Sequence, residues 1–312
     1  MAEAFDLLGL GVATVDDLLM VEHFPRVNEK QRLLAGVRQG GGLTASALVA
    51  AARLGLRPGY LITLGKGELA VFLRERLERE GIVCLEDGSR PDAEPFHSLV
   101  IVAQSGGERS VIWRNDKVFP PRIGPTEMAL AARVGCLFVD HVFAADLLGM
   151  AEAARRARRP VVGDFERTTP RSRELMDLTD HLIVPLAYAR EALGETEMAP
   201  ETAAAALARR PGRALACVTD GERGCWFALG ENPERVFHQG CFSAGRVVDT
   251  TGCGDVFHGA YAAGLVKGWP PEERIRRAAA AAALKTLKTG AQDGAPTLEE
   301  LENFLSRVSA SC

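Results

Sequence analysis

The sequence has little of what would mark a membrane, secreted or nucleic-acid-binding protein. No apolar run in its 312 residues approaches the roughly 18 that a membrane-crossing helix requires, and the opening Met1-Ala2-Glu3-Ala4-Phe5-Asp6 is acidic where a signal peptide is basic. A cytoplasmic protein with no membrane partner is the expectation. Cysteine is sparse: Cys84, Cys136, Cys217, Cys225, Cys241, Cys253 and Cys312 form no C-x-x-C pair and have no histidine at ligand spacing, which argues against a disulfide framework or a zinc site. Charge of one sign is also lacking. The 37 basic and 41 acidic side chains leave a net charge of −4, so no overall field gathers nucleic acid. Internal repeats and low-complexity linkers are absent. What is there is a globular composition, 47% hydrophobic and 25% charged, that supports a sizeable core and points to small-molecule chemistry.

Periodicity argues for alternating strands and helices. Apolar runs at 136–139, 160–163, 181–184 and 214–218 are strand candidates; helix candidates stand between them at 145–158, where Leu147, Leu148 and Ala151 share a stripe, and at 203–209. Upstream, 44–54 reads as a small-residue helix closed by Gly55, 60–64 as a strand and 69–80 as an amphipathic helix closed by Gly81. This alternation predicts a mainly parallel sheet with helices on both faces. Two helix-free stretches break it. Runs at 98–103 and 109–113 flank the glycine-rich Gln104-Ser105-Gly106-Gly107-Glu108, a hairpin signal, and about 17–37 is extended. Segments at about 17–37 and 96–116 are read as a small β-sheet lid within a single domain over 1–312. Towards the C-terminus, strands are expected at 225–229 and 246–248, then helices over 256–266 and 272–288.

Between the last strand and the first of these helices stands Asp249-Thr250-Thr251-Gly252-Cys253-Gly254-Asp255. A Thr-Gly-x-Gly-Asp turn entering a helix aims backbone N–H groups at one point, at the positive end of the helix dipole, and is an anion hole in outline. Gly252 and Gly254 permit close backbone approach, and Asp255 sets a carboxylate beside the place for a phosphate. Such a pairing suits phosphoryl transfer, with a base for the hydroxyl proton and amides for the phosphoryl group.

Residues 249–255, followed by Val256-Phe257-His258-Gly259-Ala260, resemble the C-terminal signature of the ribokinase-like (PfkB) carbohydrate kinases. A second signature, Gly41-Gly42 with Ala45-Ser46-Ala47 and Ala50-Ala51-Ala52-Arg53-Leu54-Gly55, is similar to that family's N-terminal glycine pair and helix. The resemblance extends to 11–16, 218–224 and 284–296, in effect the whole chain. It implies a ribokinase-like three-layer α/β/α core with a lid, and ATP-dependent phosphorylation of a hydroxyl on a small sugar. Position by position, it implies Asp255 as catalytic base, the amides of Gly252, Cys253 and Gly254 as the anion hole, and Asp16, Gly41 and Gly42 as sugar-binding residues. Thr219, Gly221, Gly224 and Thr251 would lie beside the ATP. Mg²⁺ would travel with ATP, Asp249 would belong to a monovalent-cation loop open to K⁺, and Glu166 would lie near the phosphates as a Mg²⁺ carboxylate. Homodimerisation through the lid, whose edges and apolar face need covering, is a further expectation.

Three departures limit the carry-over. Ser46 stands in the register of the family's usual Asn, which leaves the sugar open; Pro185 and Tyr188 replace the frequent Asn-x-x-Glu, so Mg²⁺ must be held differently; and Cys253 replaces an Ala. A helix N-terminus favours thiolate at Cys253, whereas a thiol turned inward is inert, so exposure decides its reactivity. Asn115, leaving the lid hairpin with Trp113 and Arg114, is a candidate acceptor contact. His258, one turn after Asp255, is either a site group or a packed histidine, and 155–159 is a basic helix end. Alternative acceptors are a nucleoside, a sugar phosphate or a keto-deoxy sugar acid, which a basic cluster of Arg26, Arg32 or Arg114 would favour. A catalytically silent sugar-binding regulator is the rival of another class, disfavoured by retention of Asp255 with its glycine turn.

Overall fold

The first apolar run, Leu7-Leu8-Gly9-Leu10, is strand β1 (Leu7–Leu10), buried at all four residues and hydrogen-bonded on both edges. In the computed structural model, which describes residues 5–86, 88–104 and 109–310, the chain continues through β2 (Thr14–Val21), β3 (Ala35–Gly41), α1 (Leu43–Arg53), β4 (Pro58–Leu61), α2 (Glu68–Arg79), β5 (Val83–Leu85), β6 (Phe96–Ala103) and β7 (Arg109–Arg114). There follow α3 (Pro125–Ala131), β8 (Cys136–Asp140), α4 (Ala144–Arg156), β9 (Val161–Asp164), α5 (Ser172–Asp177), β10 (His181–Pro185), α6 (Leu186–Leu193), α7 (Pro200–Ala208) and β11 (Leu215–Thr219). The chain closes with β12 (Cys225–Leu229), β13 (Asn232–Gln239), α8 (Cys253–Val266), α9 (Pro271–Lys285) and α10 (Leu298–Ala310).

The large sheet has the order β13-β12-β11-β10-β9-β8-β1-β4-β5, parallel from β11 to β5 and antiparallel at β12 and β13. Alternate residues of a strand face opposite ways. Cys136 and Phe138 accordingly join a core with α1, α2, α8, α9 and α10, while Leu137 and Val139 join a second with α3 to α7. This is the expected layering of helices on both faces. A β-carbon on Gly9 would stand 2.6 Å from Leu48 Cδ1, which shows how tightly α1 lies on β1. α1 and α8 approach at Gly259, where a β-carbon would come within 2.1 Å of the Ala47 carbonyl oxygen.

The helix-free stretches form a separate four-stranded sheet in the order β3-β2-β6-β7. β6 and β7, the strands expected on either side of a hairpin at 104–108, pair antiparallel, and residues 105–108 lie outside the described residues. The expected extended stretch 17–37 is instead two strands, β2 and β3, with no ladder over 22–34, and β3 runs on to Gly41. The expected strand at 246–248 is not in a sheet. Val248 and Asp249 donate their amides to the Thr286 carbonyl at the end of α9, at 2.8 and 3.1 Å, leaving Val247 and Val248 exposed. β12 pairs instead with β13, an edge strand whose Pro233, Glu234 and Arg235 suit a sheet edge facing water and which no strand expectation covered.

Candidate active site

The parallel strands end at one rim, where α/β sheets bind their ligands. β8 ends in Asp140 and β9 in Asp164, both buried. Asp140 is satisfied: its Oδ2 accepts from the Val12 amide at 2.7 Å and the Thr44 hydroxyl at 2.8 Å, and its Oδ1 from the Val142 amide at 2.9 Å. Burial still pushes its pKa up to about 6, against the pull of those donors. Asp164 has an Oδ2 with no hydrogen bond and lies 3.5 Å from His258 Nδ1.

Asp255 faces this pair from the first turn of α8, 8% exposed. Burial, then Asp164 and Glu166, raise its pKa well above the ordinary carboxylate value, while His258 and the Ser46 hydroxyl oppose them. Ser46 is fully buried, and its Oγ, close enough to Asp255 to pull its pKa down, has no hydrogen-bond partner of normal length. Gly252 caps α8 at φ 79°, left-handed backbone that favours glycine, and a β-carbon there would lie 2.5 Å from Ala291 Cβ. Around Gly254 the corresponding space is open. The Cys253 amide, expected in the anion hole, donates at 3.2 Å to the Thr250 carbonyl inside the turn, whereas the Gly252 and Gly254 amides take no acceptor among the described residues. Of the three amides expected to face an anion, two, those of Gly252 and Gly254, are thus left unengaged.

Asp16 lies on β2, not at the end of the first strand, and the two-residue period of that strand separates it from Asp17. Asp17 is bound by Arg38 at 2.7 Å and His97 at 2.8 Å, and the Arg38 hydrogen bonds chiefly lower its pKa. Asp16 turns the other way. It accepts from Thr14 at 3.1 Å and stands where a β-carbon on Gly41 would lie only 2.5 Å from its Oδ2. Burial raises its pKa above the usual value, with Ser98 and Thr14 working against that. Gly42, at φ 95°, lies so close to Val12 O that a β-carbon would stand 2.6 Å away, and it opens α1, which carries Ser46. Gly41, Gly42, Ser46 and Asp16 are therefore brought together. Asn115 is not: it is exposed beyond β7, two strands from Asp16.

Thr219 ends β11, and Gly221 and Gly224 bracket the tight turn into β12 on that rim. Thr251 is drawn back, its amide 2.8 Å from Asp249 Oδ1. Asp249 Oδ2 accepts from the Gly290 amide at 2.8 Å and faces Lys285 Nζ at 3.6 Å. Glu166 is exposed beside the buried Asp164. Tyr188 is no substitute for a metal-organising glutamate, being buried and stacked on Phe165 at 6.3 Å. His258 is packed: Nδ1 lies 2.8 Å from the Gly254 carbonyl and Nε2 3.0 Å from that of Ile183, tying α8 to β10.

Asp140, Asp164 and Lys285 escaped the sequence reading. The first two end the apolar runs CLFVD and VVGD, a signal legible once strand ends are taken as ligand positions. Lys285 falls on the buried stripe of Ile275, Ala278 and Ala281 in an alanine-rich helix, where a charge stands out.

The profile of the pfkB family carbohydrate kinases matches residues 10–298. The chain belongs to the pfkB family of carbohydrate kinases. It is 29% identical over 314 residues to a ribokinase of Arabidopsis thaliana, covering 97% of this chain and 82% of that one, and 28% identical to a ribokinase of Haemophilus influenzae, covering 96% and 98%. The structure of Arabidopsis thaliana ribokinase complexed with ribose and ATP shares the fold, with a TM-score of 0.83 at 24% identity, covering 97% of this chain and 99% of that one. The ribokinase-like fold expected from the signatures is therefore present, and the chain is an ATP-dependent phosphotransferase that acts on a sugar hydroxyl.

Cys253 supplies a test of this geometry. It is half-buried, and burial, with Asp249 and Asp255 against the pull of Lys285, pushes its thiol up to about 11. Near neutral pH it is a thiol, and the thiolate is the nucleophile. Iodoacetamide at about pH 8 should therefore modify the exposed Cys241 before Cys253, as read by peptide mass spectrometry. Faster labelling of Cys253, blocked by MgATP, would instead reveal a reactive thiol facing the donor.

Proposed function

We propose that this kinase phosphorylates a free, uncharged sugar, with Asp255 as the base that takes the proton of the attacking hydroxyl. The observation that carries the reading is Asp255 buried in the first turn of α8, between the unengaged amides of Gly252 and Gly254 and the Ser46 hydroxyl. The two amides, at the positive end of α8, hold the transferring phosphoryl group, so that catalysis is chiefly positioning and electrostatics. Asp16 accepts hydrogen bonds from sugar hydroxyls, and the bare backbone of Gly41 and Gly42 lets the ring lie close. Thr219, Gly221 and Gly224 line the donor.

An uncharged acceptor is favoured by the fate of the nearby cations. Arg114 and Lys117 are both paired with Glu94, and Arg38 with Asp17 and Glu68, so these cations are already compensated, while Arg26 and Arg32, the other arginines of the expected cluster, are exposed on the stretch between β2 and β3 outside the ladder of the sheet. Glu166, exposed at the mouth, and Asp164, whose Oδ2 lacks a partner, are oxygen donors suited to Mg²⁺ and would hold it. Mg²⁺ would neutralise charge on the ATP phosphates. Among the described residues no cluster of three or more His, Cys, Asp or Glu side chains forms a ready-made metal cage, which suits a metal that arrives with its nucleotide.

The chain would act as one domain in which the four-stranded sheet covers the sugar as a lid, and ATP as donor suits a cytoplasmic enzyme. That sheet exposes Val37 and, on its far strand, Val111, Ile112 and Trp113, the last at 60%, and a homodimer through this sheet would cover such a surface.

Four outcomes test the reading. With Asp255 needed ionised and its pKa raised, kcat/KM should fall on the acid side through a value above the ordinary carboxylate range; Asp255→Asn should keep ATP binding while kcat drops about 10²- to 10⁴-fold. Near wild-type turnover in that variant, measured with a panel of sugars, removes Asp255 as base. Asp16→Ala should raise the sugar KM more than about tenfold, through loss of about 1.5–3 kcal/mol of charged hydrogen bonding, with KM for ATP little changed. Equal effects on both substrates would place Asp16 elsewhere. Sedimentation should show a dimer that Trp113→Glu dissociates, and a wild-type monomer would refute the interface.

A further inference from the structure

Lys285 is the one lysine in the buried set among the described residues, at 0% exposure. It ends α9 and threads its stem past Gly294, where a β-carbon would stand 3.0 Å from Lys285 Cε. Its ammonium has three donors. Nζ donates to the Asp249 carbonyl at 2.8 Å and to the Lys288 carbonyl at 3.2 Å, and lies 3.6 Å from Asp249 Oδ2. A positive charge thus already stands among the oxygens of the segment that the sequence resemblance offered to K⁺. A metal ion in the same place would meet the ammonium, not free oxygens, so these residues do not fit a monovalent cation.

We infer that the Lys285 ammonium is a built-in monovalent cation, which fixes the approach to the anion hole and makes the enzyme independent of K⁺. The oxygens it gathers belong to the segment that sets Gly252. Asp249, held by Lys285, receives the amides of Thr251 and Gly290 through its two carboxylate oxygens, and Gly252 follows as the cap of α8. Burial works against the charge on Asp249, but the Gly290 and Thr251 bonds and then Lys285 outweigh it and lower its pKa. Asp249 is half-buried beside the fully buried Lys285, and removing the lysine would leave its charge uncompensated and two carbonyls without a donor.

The inference rests on the kinase reading for its turnover arm only, because thermal unfolding reports cation binding without substrate. In tetramethylammonium or K⁺ buffers at about 0.1 M and matched ionic strength, wild-type turnover should differ by less than about twofold and Tm should not respond to K⁺ specifically. Lys285→Met should lose at least about tenfold in kcat in tetramethylammonium, and K⁺ or NH₄⁺ should restore turnover and raise Tm by about 2 °C or more. Lys285→Arg, which keeps the charge, should remain insensitive to K⁺. Activation of the wild type by K⁺ of about tenfold or more overturns the inference. So does a folded Lys285→Met that is fully active in tetramethylammonium or whose Tm and turnover both ignore every monovalent cation. If Lys285→Met does not fold, Lys285→Gln is judged by the same two readouts, and if neither folds the wild-type comparison decides.

Discussion

Burying carboxylates close to one another is the constraint on which the rest of this site depends. Asp140, Asp164 and Asp255 are all buried at one end of the sheet, and desolvation raises the pKa of each. Like charges in a poorly solvated place repel more strongly than in water, so each acid must be compensated separately. Asp140 takes two backbone amides and a hydroxyl, Asp164 takes the neighbourhood of His258, and Asp255 takes the Ser46 hydroxyl and the start of α8. A carboxyl that ionises reluctantly, as proposed for Asp255, would suit an enzyme whose ATP brings phosphate charge to the same spot.

Small residues at the helix contact make that arrangement rigid. Ser46 and Asp255 ride on α1 and α8, and the two helices can approach because Gly259 leaves room for the Ala47 carbonyl. His258 fastens the first turn of α8 to the end of β10 through two carbonyl oxygens, which sets the height of Asp255 above the sheet. Asp16 comes from the other, smaller sheet, but Gly41 ends its neighbouring strand and leads through Gly42 directly into α1. The residues proposed for acceptor recognition and for proton removal are thus linked through a few residues of backbone, and the four-stranded sheet cannot shift without moving the carboxylate proposed to hold the sugar.

Internal cations play a structural part that surface pairs do not. Arg156 with Glu152 and Arg171 with Glu174 are exposed and contribute little. Lys285 is fully buried, and its loss would leave two carbonyls without their donor and the Asp249 carboxylate without its neighbouring positive charge.

Local pattern by itself determined a good deal: the period-2 and helical runs gave the layered α/β core, and the glycine turn with Asp255 and the pair Gly41-Gly42 pointed to the two halves of the proposed site, because backbone freedom and a carboxylate at a helix start are properties of neighbouring residues. What only the tertiary structure decided depends on partners far along the chain. The strand expected at 246–248 found a helix-end carbonyl in place of a neighbouring strand, while polar β13 became the edge. The Cys253 amide was drawn into its own turn, and Asn115 was left outside. Asp140 and Asp164 acquired meaning only when parallel pairing brought β8 and β9 side by side with β1, and Lys285 only when α9 laid its last turn against the segment before α8. Burial and electrostatic compensation are properties of that packing, summed over residues more than a hundred positions apart, and no local spacing encodes them.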